Sequence, residues 1–261
     1  WVAYTSFNYP CVIAGPSEGG RATLVLANRA AGFADPQKPK PVLYFWARGE
    51  TGQTLEPDVP QSAINFNQKI LSLDFELGAG NAGAIAIDHR GAEGSTIEDV
   101  SIQARDAFGG IRNAPGSGGA MHAIRVTGGR YGLYLTGSQP SPLVSDVTLH
   151  DQLEAAILYR ARGPLTVVGA EIRGAPIRGE LGAAHWDGAI NLIDSVISRS
   201  GDGPAIVTPR SVVLDNVWFD RVAIVARIAD HSPVAGNAAG WTHVARYVGG
   251  GKVTYEPHLG G

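Results

Sequence analysis

The sequence predicts an all-β chain wound as a parallel β-helix of about seven coils. Three observations predict it. Segments of the form aliphatic-x-x-aliphatic-x-aliphatic return about every 22–25 residues: LSLDFEL (71–77), TIEDVSI (96–102), MHAIRV (121–126), LVSDVTL (143–149), TVVGAEI (166–172), NLIDSVI (191–197) and VLDNVWF (213–219). Between them runs a shorter echo, a small residue and then an aliphatic one: Ala84-Ile85, Gly110-Ile111, Gly132-Leu133, Ala156-Ile157, Pro176-Ile177, Ala205-Ile206 and Ala223-Ile224. Both echoes are too short for helices, are rich in Val and Ile, and are bounded by Gly, Pro, Asn or Asp, which suits strands.

A unit of this length cannot bury its own apolar face. Stacked on like neighbours it can, each strand pairing in parallel with its equivalent one turn on. A propeller blade needs about 40–45 residues, and the leucine-rich-repeat consensus is absent.

Taken in order, residues 1–61 are the irregular opening. RATLVLA (21–27) reads as a strand, Pro36, Pro39 and Pro41 punctuate a loop, and VLYFWA (42–47) is a second strand. A polar insert over 48–61, bracketed by Pro57 and Pro60, interrupts the periodicity. Residues 62–228 carry the regular coils. From residue 229 the repeat is lost, and Trp241-Thr242-His243 lies where a solenoid needs an end cap. The whole is expected to be one domain. It opens on Trp1 and reads as a piece of a longer protein.

Within the first echo, Asp99, Asp146 and Asp194 share a register, with Asp74 and Asn216 matching and Ala123 and Gly169 in the same slot. Asx side chains bond their own backbone at turns, so these residues are expected to build stacked turns rather than chemistry.

Composition narrows the function. A net charge of −3 argues against nucleic acid as main partner. No stretch reaches the ~18 apolar residues of a membrane-spanning helix. Cys11 is the one cysteine, so no internal disulfide forms. Metalloprotease, phosphate-loop, EF-hand and nucleophile-elbow motifs are missing, and no metal or cofactor is expected. Nothing sets the oligomeric state.

The positive signal comes from alternation. In each second-echo strand the residue after the inward aliphatic points out. Those successors and their near neighbours are Asp88, Arg112, Tyr134, Arg160 and Arg178, with His89, Arg90, Arg130 and Tyr131 close in sequence. Stacked coils turn them into a column. Arg forks match carboxylates, and Tyr offers an apolar face with a hydroxyl, as sugar rings require. Lys is absent between Lys69 and Lys252. The column therefore points to an acidic polysaccharide, with Tyr134, Arg160, Arg178 and Trp186 as binding residues. The competing reading pairs these arginines with acids such as Glu93, Asp106 and Glu154.

Two reactions fit a polysaccharide groove. Hydrolysis requires two carboxyl groups about 5–9.5 Å apart; Asp88, Asp151, Glu154 and Asp187 are the nearby acids. Elimination from a uronate requires a cation on the carboxylate and a proton acceptor. Arg112 or Arg160 supplies the first; Tyr134, His122 or His89 supplies the second. Asp88, Arg112 and His122 are the catalytic candidates. Two glycine-rich segments, AFGGIRNAPGSGGA (107–120) and GELGAAHWD (179–187), are expected as loops bordering the site, the second carrying His185, Trp186 and Asp187. A non-catalytic glycan-binding rod and a polymer-level uronate epimerase are the alternatives.

The copies IEDVSI, VSDVTL and LIDSVI, with the small-aliphatic echo over about residues 62–228, resemble the right-handed β-helix proteins of the pectate-lyase superfamily, including family 28 glycoside hydrolase-related and rhamnogalacturonase/epimerase-like members. The resemblance implies a right-handed helix and a secreted or periplasmic carbohydrate-active role. The Asn-Thr-Asp, Asp-Asp, Gly-His-Gly and Arg-Ile-Lys motifs of family 28 are absent, so no catalytic residue carries over.

Overall fold

A computed structural model describes residues 2–3, 10–16, 18–46, 64–137, 141–182, 187–199 and 201–250. The chain forms a right-handed parallel β-helix. Each regular coil contributes one long and one short strand. The long strands are β5 (Lys69–Leu77), β7 (Thr96–Arg105), β9 (Ala120–Gly128), β11 (Leu143–His150), β13 (Gly163–Gly174), β15 (Asp187–Arg199) and β17 (Val212–Ile228). Six parallel steps join them in order. That makes about six turns, one fewer than the repeats suggest, because seven strands span six intervals.

The short strands are β4 (Lys40–Trp46), β6 (Ala84–His89), β8 (Gly109–Arg112), β10 (Tyr131–Leu135), β12 (Ala155–Tyr159), β14 (Ile177–Gly179) and β16 (Ile206–Thr208). They stack in parallel as a second ladder. Before them, β1 (Val2–Ala3) pairs with β4, while β2 (Val12–Ala14) and β3 (Ala22–Leu26) both pair with β5. The strands expected at 21–27 and 42–47 are thus β3 and β4. The insert at 48–61 lies outside the described residues.

Registry explains the core. Ile70, Ile97, Met121, Val144, Val167, Leu192 and Leu214 form one inward row, each fully buried. Phe75, Ile102, Val126, Leu149, Ile172, Ile197 and Phe219 form another. On the short ladder Ile87, Ile111, Leu133, Ile157, Ile177 and Ile206 face them. Burying each such side chain is worth roughly 1.5–3 kcal/mol.

The x-x gap of the first echo has a backbone cause. Ser72, Asp99, Ala123, Asp146, Gly169, Asp194 and Asn216 share one register and all adopt left-handed φ, between 47° and 67°. A left-handed residue turns the strand and resets its two-residue alternation, so two outward positions follow one another. Ile97 and Val100 are therefore both inward although three apart. The slot expected for Asp74 belongs to Ser72: Asp74 pairs with Ser101, one step beyond the corner.

The last coil is closed differently. β17 runs along both ladders, pairing through Val212–Asp220 with β15 and through Ala226–Ile228 with β16. β18 (Val234–Gly249) then returns antiparallel along its free edge. Trp241-Thr242-His243, where an end cap was expected, lie on this strand. Its burial pattern contains no buried position. Among the described residues, no helix is long and apolar enough to cross a membrane.

Candidate functional site

The outward row of the short ladder reads Tyr44, Asp88, Arg112, Tyr134, Leu158, Arg178, Val207 and Arg227. Neighbours in this row stand about 4.8 Å apart. Four of the five expected column residues fall in it. Arg160 does not: Leu158 holds that position and Arg160 follows the end of β12, 3.7 Å from Glu180. The short echo is also shifted at its ends. Ala86-Ile87 and Val225-Ala226 are the equivalents of Gly110-Ile111, not Ala84-Ile85 and Ala223-Ile224. Neither slip is visible without the pairing, because another pair of small and aliphatic residues, Ala86-Ile87 in the first place and Val225-Ala226 in the second, follows two residues on and keeps the same alternation.

Asp88 is 0% exposed. Its Oδ2 accepts from Arg112 Nε at 2.8 Å and lies 2.7 Å from a terminal nitrogen of the same guanidinium. Its Oδ1 accepts from Asn113 Nδ2 at 2.7 Å, and Arg90 Nε approaches Oδ2 at 3.4 Å. Both oxygens are occupied. Fully buried and bonded on both sides, Asp88 thus fixes Arg112 at the surface and is closed to a ligand.

Beside Arg112 lies an aromatic cluster. Tyr131 and Tyr134 have ring centres 4.8 Å apart, and Phe108 sits 5.3 Å and 5.1 Å from them. Gly109 permits this approach: a Cβ there would fall 2.9 Å from the Tyr131 carbonyl oxygen. The Glu154 carboxylate accepts from the Tyr131 hydroxyl and from Arg130 Nε at 2.8 Å, and a terminal Arg130 nitrogen closes the ion pair. Arg130 also lies 5.9 Å over the Phe108 ring. Bonding to Tyr131 and then to Arg130 holds Glu154 below the usual carboxylate range, with Arg178 adding its charge. Burial and the Glu154 bond push the Tyr131 phenol up to about 12. The proton therefore stays on Tyr131 and the charge on Glu154.

The remaining candidates lie elsewhere. His122 is on β9 of the long ladder, exposed, with Nδ1 2.9 Å from the Ser145 hydroxyl. The structure does not bring it to Asp88 and Arg112. His89 is buried within β6, stacked on Phe45 at 5.0 Å. Trp186 and His185 lie outside the described residues. Asp187 binds Arg210, whose side chain is 0% exposed. That guanidinium also donates to the carbonyls of Glu180 at 2.6 Å and Ala161 at 2.8 Å and lies 4.5 Å over the Tyr159 ring. It staples successive coils. The segment 107–120 is not all loop, since its first half contains β8. Phe108 was not among the expected residues; its place directly before Gly109-Gly110, where the chain must pack closely, is the signal that could have found it.

A cleft of about 250 Å³ opens on the long ladder instead, lined by Arg21, Asp74, Asp99, Ser101 and Arg125 among others. Its two carboxylates are both taken by Arg21, at 2.7 Å from Asp74 and 2.6 Å from Asp99. The Arg21 bond lowers the Asp99 carboxyl. This network ties β3 to the first two regular coils. We place the candidate site on the short ladder, where cations and aromatic rings are displayed together. Among the described residues no group of three or more His, Cys, Asp or Glu side chains could hold a metal ion. Compared with known protein families and with curated proteins, the chain matches none.

Proposed function

We propose that the protein binds an acidic polysaccharide along the outer flank of the short ladder. The observation that carries this reading is the shared row of Arg112, Tyr134 and Arg178. Tyr134 offers a ring for stacking. Arg112, oriented by buried Asp88, and exposed Arg178 offer guanidinium forks on either side, three strand steps apart. An extended uronate polymer presents carboxylates at repeated intervals and matches such a row. The likeness of the repeats to the pectate-lyase superfamily supports a polysaccharide partner and a secreted or periplasmic setting.

Recognition is better supported than cleavage. Hydrolysis needs one carboxyl able to give a proton and one free to attack or activate water. On this face Asp88 has both oxygens occupied, and Glu154 is an ion-paired carboxylate. Elimination or epimerisation needs a group that takes a proton near neutrality. Tyr131, at about 12, is poorly suited.

Affinity electrophoresis through gels containing polygalacturonate, alginate or hyaluronate tests the reading. The expected result is retardation by at least one of them, weakened by added salt and reduced at least five-fold by Tyr134→Ala or Arg178→Glu. Unchanged migration in all three gels, or variants that bind like the parent, would overturn it. Appearance of an ultraviolet-absorbing unsaturated product would replace binding by elimination.

A further inference from the structure

Two indoles stand on the surface at the C-terminal end of the long ladder. Trp218 on β17 is 41% exposed and Trp241 on β18 is 55% exposed. The core does not need them: Val217 and Phe219, on either side of Trp218, are the inward residues.

The rings are held in place. His243 faces Trp218 across the β17–β18 pair, and the two rings stack with centres 4.1 Å apart and planes 13° from parallel. His243 Nε2 lies 3.0 Å from Asn216 Oδ1, while Asn216 Nδ2 donates to Asp194 at 2.7 Å. That chain assigns the Nε2–H tautomer to His243 and locks its ring. Trp241 meets Trp218 edge-on, at 6.2 Å and 76°. One face of Trp218 is thus covered by His243. On its other side the same row continues with Val196 and then Glu171. Val196 is too short to cover an indole. A shallow slot results, about 10 Å between the Trp218 and Glu171 rows by strand spacing, with Ser198 in the adjoining outward row.

We infer that this slot binds a neutral pyranose unit of a glycan. The apolar C–H face of the ring stacks on the free face of Trp218, Trp241 borders it, and Glu171 and Ser198 receive its hydroxyls. An apolar protein surface would strip water from the Ser198 hydroxyl and the Arg173–Glu171 ion pair without offering them a hydrogen bond in return. A uronate gains no free cation here: Arg173 pairs with Glu171 at 2.5 Å and Arg221 with Asp220 at 2.9 Å. The slot therefore differs in chemistry from the Arg–Tyr row of the short ladder and does not rest on it.

The test uses the full chain in gels of galactomannan, xyloglucan and mixed-linkage β-glucan, with tryptophan fluorescence titrations and size-exclusion chromatography alongside. At least one neutral polymer should retard the parent. Trp218→Ala and Trp241→Ala should each weaken binding ten-fold or more, Trp218→Phe should keep part of it, and Tyr134→Ala should leave it unchanged. If Trp218→Ala melts early, Trp241→Ala and Trp218→Phe carry the comparison. The proposal is overturned if no neutral polymer binds or if the indole variants bind like the parent. It is equally overturned if the parent is a dimer that the indole variants dissociate without change in glycan binding. Loss of acidic-polymer binding alone defeats only the short-ladder reading.

Discussion

His89 shows what burial does to a single group. It is 0% exposed, and neither ring nitrogen makes a hydrogen bond of ordinary geometry. Burial lowers its pKa from 6.5 to about 4. Above the unfolded value both states are neutral and His89 carries no penalty. As pH falls from 6.5 towards 4, the unfolded chain takes up a proton that the folded chain refuses, so stability is lost across that window, by roughly 3 kcal/mol in all. Urea melts of the parent should show this loss, and His89→Leu should flatten it; an equally steep acid limb in the variant would refute the assignment. In the sequence His89 resembles any proton-transfer histidine, and only its depth in the coil decides otherwise. Asp88 is the companion case. Alternation placed it on the outward row, yet two arginines and an asparagine enclose it.

At the scale of the element, the left-handed corner organises each long strand. Asp, Asn and Gly occupy it in five coils and suit positive φ. Ala123 does not: an L-residue with a Cβ pays about 1–2 kcal/mol there, less when a short polar side chain bonds locally. Asn216 bonds across the stack instead, donating to Asp194 one coil away. Ala123→Asn should reproduce it between Asp99 and Asp146 and raise stability by about 1 kcal/mol, read as a shift in urea midpoint at unchanged slope. A neutral or negative shift would mean that the corner is not strained. The repeat's x-x gap made this element readable in advance: strict alternation cannot contain two successive outward residues without a bend. Its exact slot was less readable, since LSLDFEL offers both Ser72 and Asp74.

For the whole molecule, the ends matter most. β17 would leave a long open edge if the chain stopped there, and β18 covers it along Val212–Ala226. A protein ending at residue 229 should therefore melt lower than the parent and elute as larger species on size exclusion. An unchanged, monomeric melt would show that β18 is no cap. β18 leaves its own outer edge without a strand partner among the described residues, and Trp241 and Val248 are exposed on it. The same strand also brings His243 and Trp241 to Trp218, so the cap and the proposed sugar slot are built by one pairing.

The sequence by itself determined the coiling. A repeated pattern of inward aliphatics can be buried only by stacking, and that reasoning needs no coordinates. It also nominated Arg112, Tyr134 and Arg178 as one column, because period-two alternation places them alike in their strands. Tertiary structure alone decided the rest. Register put Leu158 where Arg160 was expected, set His122 on the other ladder, closed Arg112 onto Asp88, and assembled Tyr131 with Glu154 and Trp218 with His243. These are relations between residues a full coil or more apart. A displacement of two residues preserves every hydrophobic pattern while changing each cross-strand neighbour, so only the hydrogen-bonded pairing can distinguish them.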